Sequence, residues 1–247
     1  MKIKLVGTGS IEANERSAST LIDDKLLVDM GNGIAKTIVL EGDRLEDIEA
    51  ILITHLHGDH FADIPFFMID RIRMDDIKEI NIYCPKDTKR RVKELCGLYF
   101  GDDSKNHFEE RLERGKVKFV EFENMDKVEV TKGYFVTSYL VSHADCVPAY
   151  GFIVEHDGKK IGFSGDSKVC DGVNNIVKES NVSILDTSLL LGEEPHMGFN
   201  DVYAFAKKYP KKIFFSTHLR NRTRKFALEN RITNLIIPND GSTIEIE

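Results

Sequence analysis

The sequence lacks several features that would assign it to a class at once. Tryptophan is absent from its 247 residues, and its four cysteines, Cys84, Cys96, Cys146 and Cys170, form no CxxC pair. Structural disulfides are therefore not expected. No stretch of about 18 apolar residues occurs, which excludes a transmembrane helix, and the N-terminal apolar run is too short for a signal peptide. These absences predict a reduced, cytoplasmic protein with no membrane partner.

The chain also has no excess of basic residues. The chain carries 41 acidic and 34 basic residues, a formal net charge of -7. A protein of this charge does not attract polyanions at long range, so it accommodates small substrates more easily than nucleic acids. Hydrophobic residues make up 41% of the chain, enough for a substantial core, and no repeat or linker divides it. We expect a single domain over residues 1–247.

Apolar patterning predicts strands that are grouped early in the chain, with helices interspersed among them. Strands are predicted at KIKLVGTGS, STLI, KLLVD, IEAILIT, INIYC, KVKFVEF, KVEVT, YFVTSYLVSH, YGFIVEH, KKIGFSG, VSILDTS, KKIFFSTH and NLIIP. Helices are predicted at GIAKTIVLEG, FADIPFFMIDRIRM, KDTKRRVKELCGLYF, FNDVYAFAKKY and RNRTRKFALEN. This arrangement suits two sheets covered by helices.

The segment THLHGDH is where the chemistry of the sequence concentrates. His55 and His57 alternate at the end of a predicted strand, so their side chains point to the same side. Gly58 allows the chain to turn, and Asp59 and His60 can then address a second point nearby. At the histidine frequency of this chain, three histidines at these offsets would arise by chance only about 0.006 times. The spacing predicts a metal site, and its geometry suggests two metal ions.

Further metal ligands are expected from distant segments. His143, Asp166 and His218 each follow an apolar run that is predicted to be a strand, and each precedes residues typical of turns. Strand ends at one edge of a sheet are where a site assembled from several segments forms. A mixed set of imidazole and carboxylate donors suits Zn²⁺ and also Mn²⁺, Fe²⁺, Co²⁺ or Ni²⁺.

The ordered motifs resemble those of the metallo-β-lactamase superfamily over nearly the whole chain. The resemblance implies an α/β fold of the α+β type, the four-layer αβ/βα sandwich. It also implies two divalent metal ions, zinc or manganese, held by two sets of ligands with one bridging residue. These are His55, His57 and His143 on one ion, Asp59, His60 and His218 on the other, and Asp166 between them.

Within the superfamily, the segments SHADCVPAYGF and PHMGFND resemble the RNase Z group and its phosphodiesterase relatives. The second segment places His196 22 residues before His218, similar to the additional active-site histidine of that group. The alternative is that His196 only caps the helix predicted to begin near Asn200. The resemblance implies a phosphodiesterase that uses hydroxide held by two metal ions, with Asp59 orienting the water and His196 assisting the leaving group.

The interval between His143 and Asp166 narrows the substrate class. Members of the RNase Z group that trim tRNA carry a long arm in this interval, which here is 23 residues and is filled by a predicted hairpin. The chain therefore resembles the compact relatives that hydrolyse cyclic nucleotides, including anti-Pycsar proteins, which are homodimers. The alternatives are an RNase Z-type endoribonuclease that processes tRNA 3′ ends, a lactone or thioester hydrolase, and a metal-retaining module without turnover.

Two further groups of residues are candidates for substrate contact. Tyr99, Phe100 and Phe108 offer aromatic rings that could stack on a base, with core or dimer packing as the alternative. Arg220, Arg222 and Arg224 follow His218 closely and offer phosphate-binding charges, with a solvated helix face as the alternative.

Overall fold

The computed structural model describes residues 1–74, 77–143 and 148–246. Fourteen strands within these residues form two seven-stranded sheets. The first sheet has the order β14-β1-β2-β3-β4-β5-β6 and the second has the order β13-β12-β11-β10-β9-β8-β7. The strands are β1 Lys2–Gly7, β2 Ser19–Ile22, β3 Leu26–Val28, β4 Ala50–Leu52, β5 Ile80–Cys84, β6 Val117–Glu121, β7 Lys127–Thr131, β8 Tyr134–Val141, β9 Ala149–His156, β10 Lys159–Phe163, β11 Val182–Asp186, β12 Ile213–Thr217, β13 Leu235–Ile236 and β14 Ser242–Glu245.

Nine α-helices and one short 3₁₀ helix (Leu45–Asp47) lie within the same residues. The helices are α1 Ile34–Leu40, α2 Gly58–Phe61, α3 Ile64–Arg73, α4 Thr88–Phe100, α5 Asp102–Asn106, α6 Phe108–Gly115, α7 Asp171–Glu179, α8 Phe199–Lys208 and α9 Asn221–Glu229. None of the helices described in this structure is long and apolar enough to cross a membrane.

The two sheets pack against each other and carry helices on their outer faces. Ile51 of β4 packs towards α1 and α3, whereas the next residue, Leu52, joins the cluster between the sheets. In the second sheet, Ile184 lies between the sheets and Leu185 packs against α7 and α8. Strands that are buried on both faces read as unbroken apolar runs. The expected four-layer αβ/βα sandwich is confirmed.

Strand direction brings the ends of distant strands to the same edge of each sheet. In the first sheet β3, β4, β5 and β6 are parallel, and β1 runs the same way because both β1 and β3 are antiparallel to β2. In the second sheet β10, β11 and β12 are parallel, and β8 shares their direction because both β8 and β10 are antiparallel to β9. Residues that follow these strands therefore meet at one edge.

The structure differs from the expected elements in several places. The predicted helix over residues 61–74 is two helices that break at Ala62 and Asp63. β4 is shorter than the run IEAILIT because Thr54 donates its backbone N–H to the Asp29 side chain, 2.8 Å away, instead of extending the sheet. Helices α5, α6 and α7 and strand β14 were not predicted.

The structure describes three of the four cysteines. Cys84, Cys96 and Cys170 are free. Burial raises the pKa of the Cys84 thiol to about 12 and that of Cys96 to about 11, so both remain protonated at neutral pH. Cys146 lies outside the described residues, together with part of the SHADCVPAYGF segment.

Candidate metal centre

All seven predicted metal ligands converge at the common strand edge. His55, His57, Asp59 and His60 follow β4, and the remaining three, His143, Asp166 and His218, follow β8, β10 and β12. Every ligand atom lies within 4.8 Å of the others in each of three groups, His55 with His57 and His143, Asp59 with His60 and His218, and His55 with His60 and Asp166. Asp166 and His218 form a further group of this kind with Asp186 and His196. The site spans both sheets, because the first four residues belong to one sheet and the last three to the other.

The first group consists of three imidazoles. The Nδ1 atom of His57 lies 3.2 Å from His55 Nε2 and 3.0 Å from His143 Nε2. His55 and His143 are buried, whereas His57 is exposed. Burial lowers the pKa of His55 well below its usual range and lowers the pKa of His143 as well. Neutral imidazoles with unprotonated nitrogens are what a divalent metal ion requires.

The second group combines a carboxylate with two imidazoles. The Nε2 atom of His218 lies 3.2 Å from Asp59 Oδ2, and the Nε2 atom of His60 lies 3.6 Å from the same oxygen. Burial favours the neutral form of Asp59, but the hydrogen bond with His218 and the charge of His60 outweigh it and lower the pKa to about 2. Asp59 is therefore ionised at neutral pH.

Asp166 lies between the two groups. Its Oδ2 atom is 3.2 Å from His218 Nε2, 3.3 Å from His60 Nε2 and 3.8 Å from His55 Nε2. Although its burial opposes ionisation, the surrounding imidazoles lower its pKa well below the usual range. This position agrees with the bridging role that the resemblance implies.

The side chains fit a pair of divalent cations. His60 Nε2 is buried and has no hydrogen-bond partner among the described residues, which is a costly state for a polar atom unless a ligand satisfies it. Burial opposes protonation of His60, but the charges of Asp166 and Asp29 raise its pKa well above the usual range. The environment thus favours positive charge beside His60 Nε2, and a metal ion bound there supplies that charge without a proton.

Three polar side chains that are not predicted ligands contact the Nδ1 atoms of predicted histidine ligands. Asp29 Oδ2 accepts hydrogen bonds from His60 Nδ1 and from the Thr54 hydroxyl, both at 2.8 Å, and the Thr54 hydroxyl lies 3.0 Å from His55 Nδ1. The Ser188 hydroxyl lies 2.7 Å from His218 Nδ1. Such partners fix the ring orientation and the tautomer of a metal-binding histidine. The sequence reasoning missed all three residues.

His196 lies beside the centre and is held by Asp186. Its Nδ1 atom is 2.8 Å from Asp186 Oδ2, and its ring stacks on that of His218 with centroids 5.4 Å apart. The alternative role as a helix cap does not hold, because α8 begins after Gly198, whose N–H is bonded to Asp201. Burial favours neutral His196, but the hydrogen bond and charge of Asp186 raise the pKa above its ordinary value.

The three aromatic candidates for base stacking differ in burial. Phe108 is fully buried in the helix layer over the first sheet, which agrees with core packing, the alternative to base stacking. Tyr99 is exposed, and both it and Phe100 contact Phe66, with centroids 5.3 and 5.2 Å from that ring. Both rings therefore pack on Phe66, and their contact with substrate stays a prediction.

The three arginines after β12 also differ from one another. Arg224 is buried, donates a hydrogen bond to the carbonyl of Pro238 at 2.8 Å and pairs with Glu15 at 3.1 Å, so it is not free to bind phosphate. Arg222 is exposed on α9, and Arg220 precedes the helix as its N-cap.

Comparison with known proteins agrees with this geometry. A family profile described as a beta-lactamase superfamily domain matches residues 25–219. The chain belongs to this family. It is 27% identical to the ribonuclease Z of Mycolicibacterium gilvum over 191 residues, which cover 71% of this chain and 65% of that protein, just under two thirds of its length. It is 22% identical to the ribonuclease Z of Staphylococcus haemolyticus over 252 residues, which cover 79% of this chain and 78% of that protein.

Solved structures of this fold superimpose over the whole chain. The short form of human tRNase Z gives a TM-score of 0.77 with 20% identity and covers 100% of both chains. A diphosphatase of the PhnP family gives a TM-score of 0.79 with 16% identity and covers 100% of this chain and 98% of the other. The expected resemblance to the RNase Z group of the superfamily is confirmed.

Proposed function

We propose that this protein is a metal-dependent phosphodiesterase that hydrolyses a small nucleotide phosphodiester, a cyclic nucleotide in particular. The observation that carries the proposal is the pair of ligand groups joined at Asp166 Oδ2, with His196 held beside them by Asp186. The family match and the RNase Z relatives support the class of metal-dependent hydrolase. We propose that the two ions are zinc or manganese, held by the seven residues described above.

Two divalent ions in this position would neutralise the charge that builds on a phosphoryl group and would make a bound water more acidic. The protein's own contribution begins with Asp59. Because its pKa is lowered to about 2, its carboxylate is ionised at neutral pH and can accept a hydrogen bond from the attacking water. Asp59 Oδ2 already faces His218 and His60, so the carboxylate is held in place before substrate arrives.

The proposed role of His196 is to act on the phosphoryl group or on the leaving oxygen. Its Nδ1–H donates to Asp186, which leaves Nε2 as the nitrogen that faces substrate. The raised pKa of His196 keeps a larger share of the ring protonated near neutral pH. A protonated Nε2 can donate to a phosphoryl oxygen or deliver a proton to the leaving oxygen.

The surroundings of the centre bear on the approach and the size of the substrate. A cavity of about 30 Å³ beneath the centre is lined by Asp29, Thr54, His60 and Asp166 among others, and it has room for water but not for a nucleotide. Substrate therefore approaches from the side of exposed His57. Most of the interval between His143 and Asp166 is the hairpin of β9 and β10, which leaves no length for a tRNA-binding arm.

The test is hydrolysis of a panel of 3′,5′-cyclic nucleotides by purified protein with added Mn²⁺ or Zn²⁺. Opening to mononucleotides that is absent in Asp59→Ala supports the proposal. His196→Ala should retain its metal and lose activity by about 10²- to 10⁴-fold. Intact cyclic nucleotides in every metal condition would refute the cyclic-nucleotide substrate, and turnover of lactones or thioesters instead would refute the phosphodiesterase.

A second candidate is an RNase Z-type endoribonuclease. It is favoured by the ribonuclease Z relatives and by the superposition on human tRNase Z. Cleavage of a pre-tRNA that carries a 3′ trailer, in the same buffer and at the same enzyme concentration as the cyclic nucleotides, separates the two substrates. The homodimer implied by the resemblance remains a prediction, which sedimentation velocity of the metal-loaded protein tests.

A further inference from the structure

The loop after β1 lies beside the end of β12. Because β1 runs in the same direction as β3 and β4, residues that follow it reach the edge of the sheet that carries the metal centre. Leu219 donates its N–H to Thr8 at 3.2 Å, and Ser10 donates its N–H to Leu219 at 3.3 Å. These bonds fasten the loop to the segment directly after His218.

In the part of the chain that the structure describes, the Arg220 side chain forms an ion pair with one exposed carboxylate. Its Nε atom lies 3.3 Å from Glu12 Oε2, and the two side chains are 41% and 62% exposed. An exposed pair of this kind is weak and exchanges readily. The carbonyl of the same Glu12 accepts a hydrogen bond from Asn221 at 3.4 Å, so the loop backbone stays in place when the Glu12 side chain turns away.

Arg220 is also close to the residues proposed to act on substrate. It lies two positions after His218, whose ring stacks on His196. Its segment is held beside the end of β12 by the two hydrogen bonds between Leu219 and the loop after β1. Two other arginines of this region are paired elsewhere: Arg224 is buried against Glu15, and Arg16 pairs with Glu41.

We propose that Arg220 binds the non-bridging oxygens of the substrate phosphate and that Glu12 holds the guanidinium until the phosphate replaces it. The inference rests on the proposed function, since it assigns a phosphate-binding residue to the same site. A guanidinium presents parallel N–H groups that match two phosphate oxygens. Exchange of one anionic partner for another leaves the arginine paired throughout, and the released Glu12 carboxylate is 62% exposed and therefore solvated by water.

The test measures binding as well as activity. Affinity for AMP, a phosphomonoester with the expected product chemistry, is measured by titration calorimetry with the metal-loaded protein. Arg220→Ala should weaken AMP binding by about tenfold or more, whereas Arg220→Lys should restore part of it. Glu12→Gln removes the competing charge and should tighten AMP binding by about two- to fivefold. Lys225→Ala removes one exposed positive charge from the same helix and should leave the affinity unchanged.

The outcomes separate this inference from the proposed function. If phosphodiesters are hydrolysed but Arg220→Ala binds AMP as tightly as the unmodified protein, the inference is overturned and the proposed function stands. If AMP binds through Arg220 but no phosphodiester is hydrolysed, the phosphate site stands and the proposed reaction fails. A loss of AMP affinity in Arg222→Ala and not in Arg220→Ala overturns the inference as well. Metal content measured on every variant shows that the centre is intact.

Discussion

Replacement of Asp29 by asparagine should weaken metal binding although Asp29 is not one of the proposed ligands. Asp29 Oδ1 accepts the Thr54 N–H at 2.8 Å, and Oδ2 accepts both the Thr54 hydroxyl and His60 Nδ1, each at 2.8 Å. The residue has a positive φ of 60°, a conformation that asparagine tolerates well. The substitution therefore keeps the backbone and the volume and changes the hydrogen-bonding chemistry and the charge.

The expected loss of metal affinity follows from a change in the tautomer of His60. If the asparagine oxygen keeps the bond from the Thr54 N–H, its NH₂ group faces His60 Nδ1, which must then give up its hydrogen. The hydrogen moves to Nε2, the buried atom without a partner in the described residues, and occupies the lone pair that the metal needs. Loss of such a supporting bond typically costs 10- to 100-fold in metal affinity. The lost charge-assisted bonds should also lower the free energy of unfolding by about 1–3 kcal/mol.

The assay is competition for Zn²⁺ against a chromophoric chelator, with thermal unfolding of the metal-free protein measured in parallel. Asp63→Asn is the matched control, because Asp63 is also buried and accepts the Ala35 N–H at 2.8 Å. We expect the control to lose stability and to keep its metal affinity. Equal zinc affinities for Asp29→Asn and the unmodified protein would refute the reasoning, and so would an equal loss in both variants.

Three further predictions concern the centre and the core. Asp166→Ala should lose metal and turnover together, because Asp166 lies between the two ligand groups. A variant with normal metal content and a normal rate would contradict the two-metal assignment. Phe108→Ala should lower the free energy of unfolding by about 3–5 kcal/mol. Replacement of the exposed Tyr99 by alanine should change it by no more than about 0.5 kcal/mol, and denaturant unfolding measures both values. Cys84 and Cys96, with thiol pKa values raised to about 12 and 11, should resist a thiol reagent at pH 8 until denaturant is added, and rapid labelling of either would contradict their burial.

The fold was largely predictable because its strands are buried on both faces. Unbroken apolar runs such as AIL in β4 and FIV in β9 leave little ambiguity about where a strand lies. Helix α7 was missed although Val173, Ile176 and Val177 are buried at helical spacing, because the glycine and asparagines around them are typical of loops. Strand β14 has only partly buried or exposed residues, and its pairing with β1 depends on a contact across the whole chain that no local pattern encodes.

The predicted ligands outside THLHGDH, His143, Asp166 and His218, could be found because each places a donor just after an apolar strand. Asp29 and Asp186 have the same property, in LLVD and SILD, and yet they were not proposed as parts of the site. Asp29 and Asp186 differ from Asp166 in the direction of their side chains and in the atoms that these side chains contact. Asp29 turns towards His60 Nδ1 and Asp186 towards His196 Nδ1, and neither direction can be read from sequence spacing.

Asp186 shows why these supporting carboxylates matter for the chemistry as well as for the fold. Its Oδ1 atom accepts the Ser188 hydroxyl at 2.7 Å, and that hydroxyl lies 2.7 Å from His218 Nδ1, while Oδ2 accepts His196 Nδ1 at 2.8 Å. One carboxylate at the end of β11 thus orients a proposed metal ligand and the proposed acid together. Because hydrogen-bonded groups of this kind act as a unit, the effects of His196→Ala and Asp186→Asn on turnover should be far from additive. If they were additive, His196 would act independently of Asp186, and its raised pKa would need another cause.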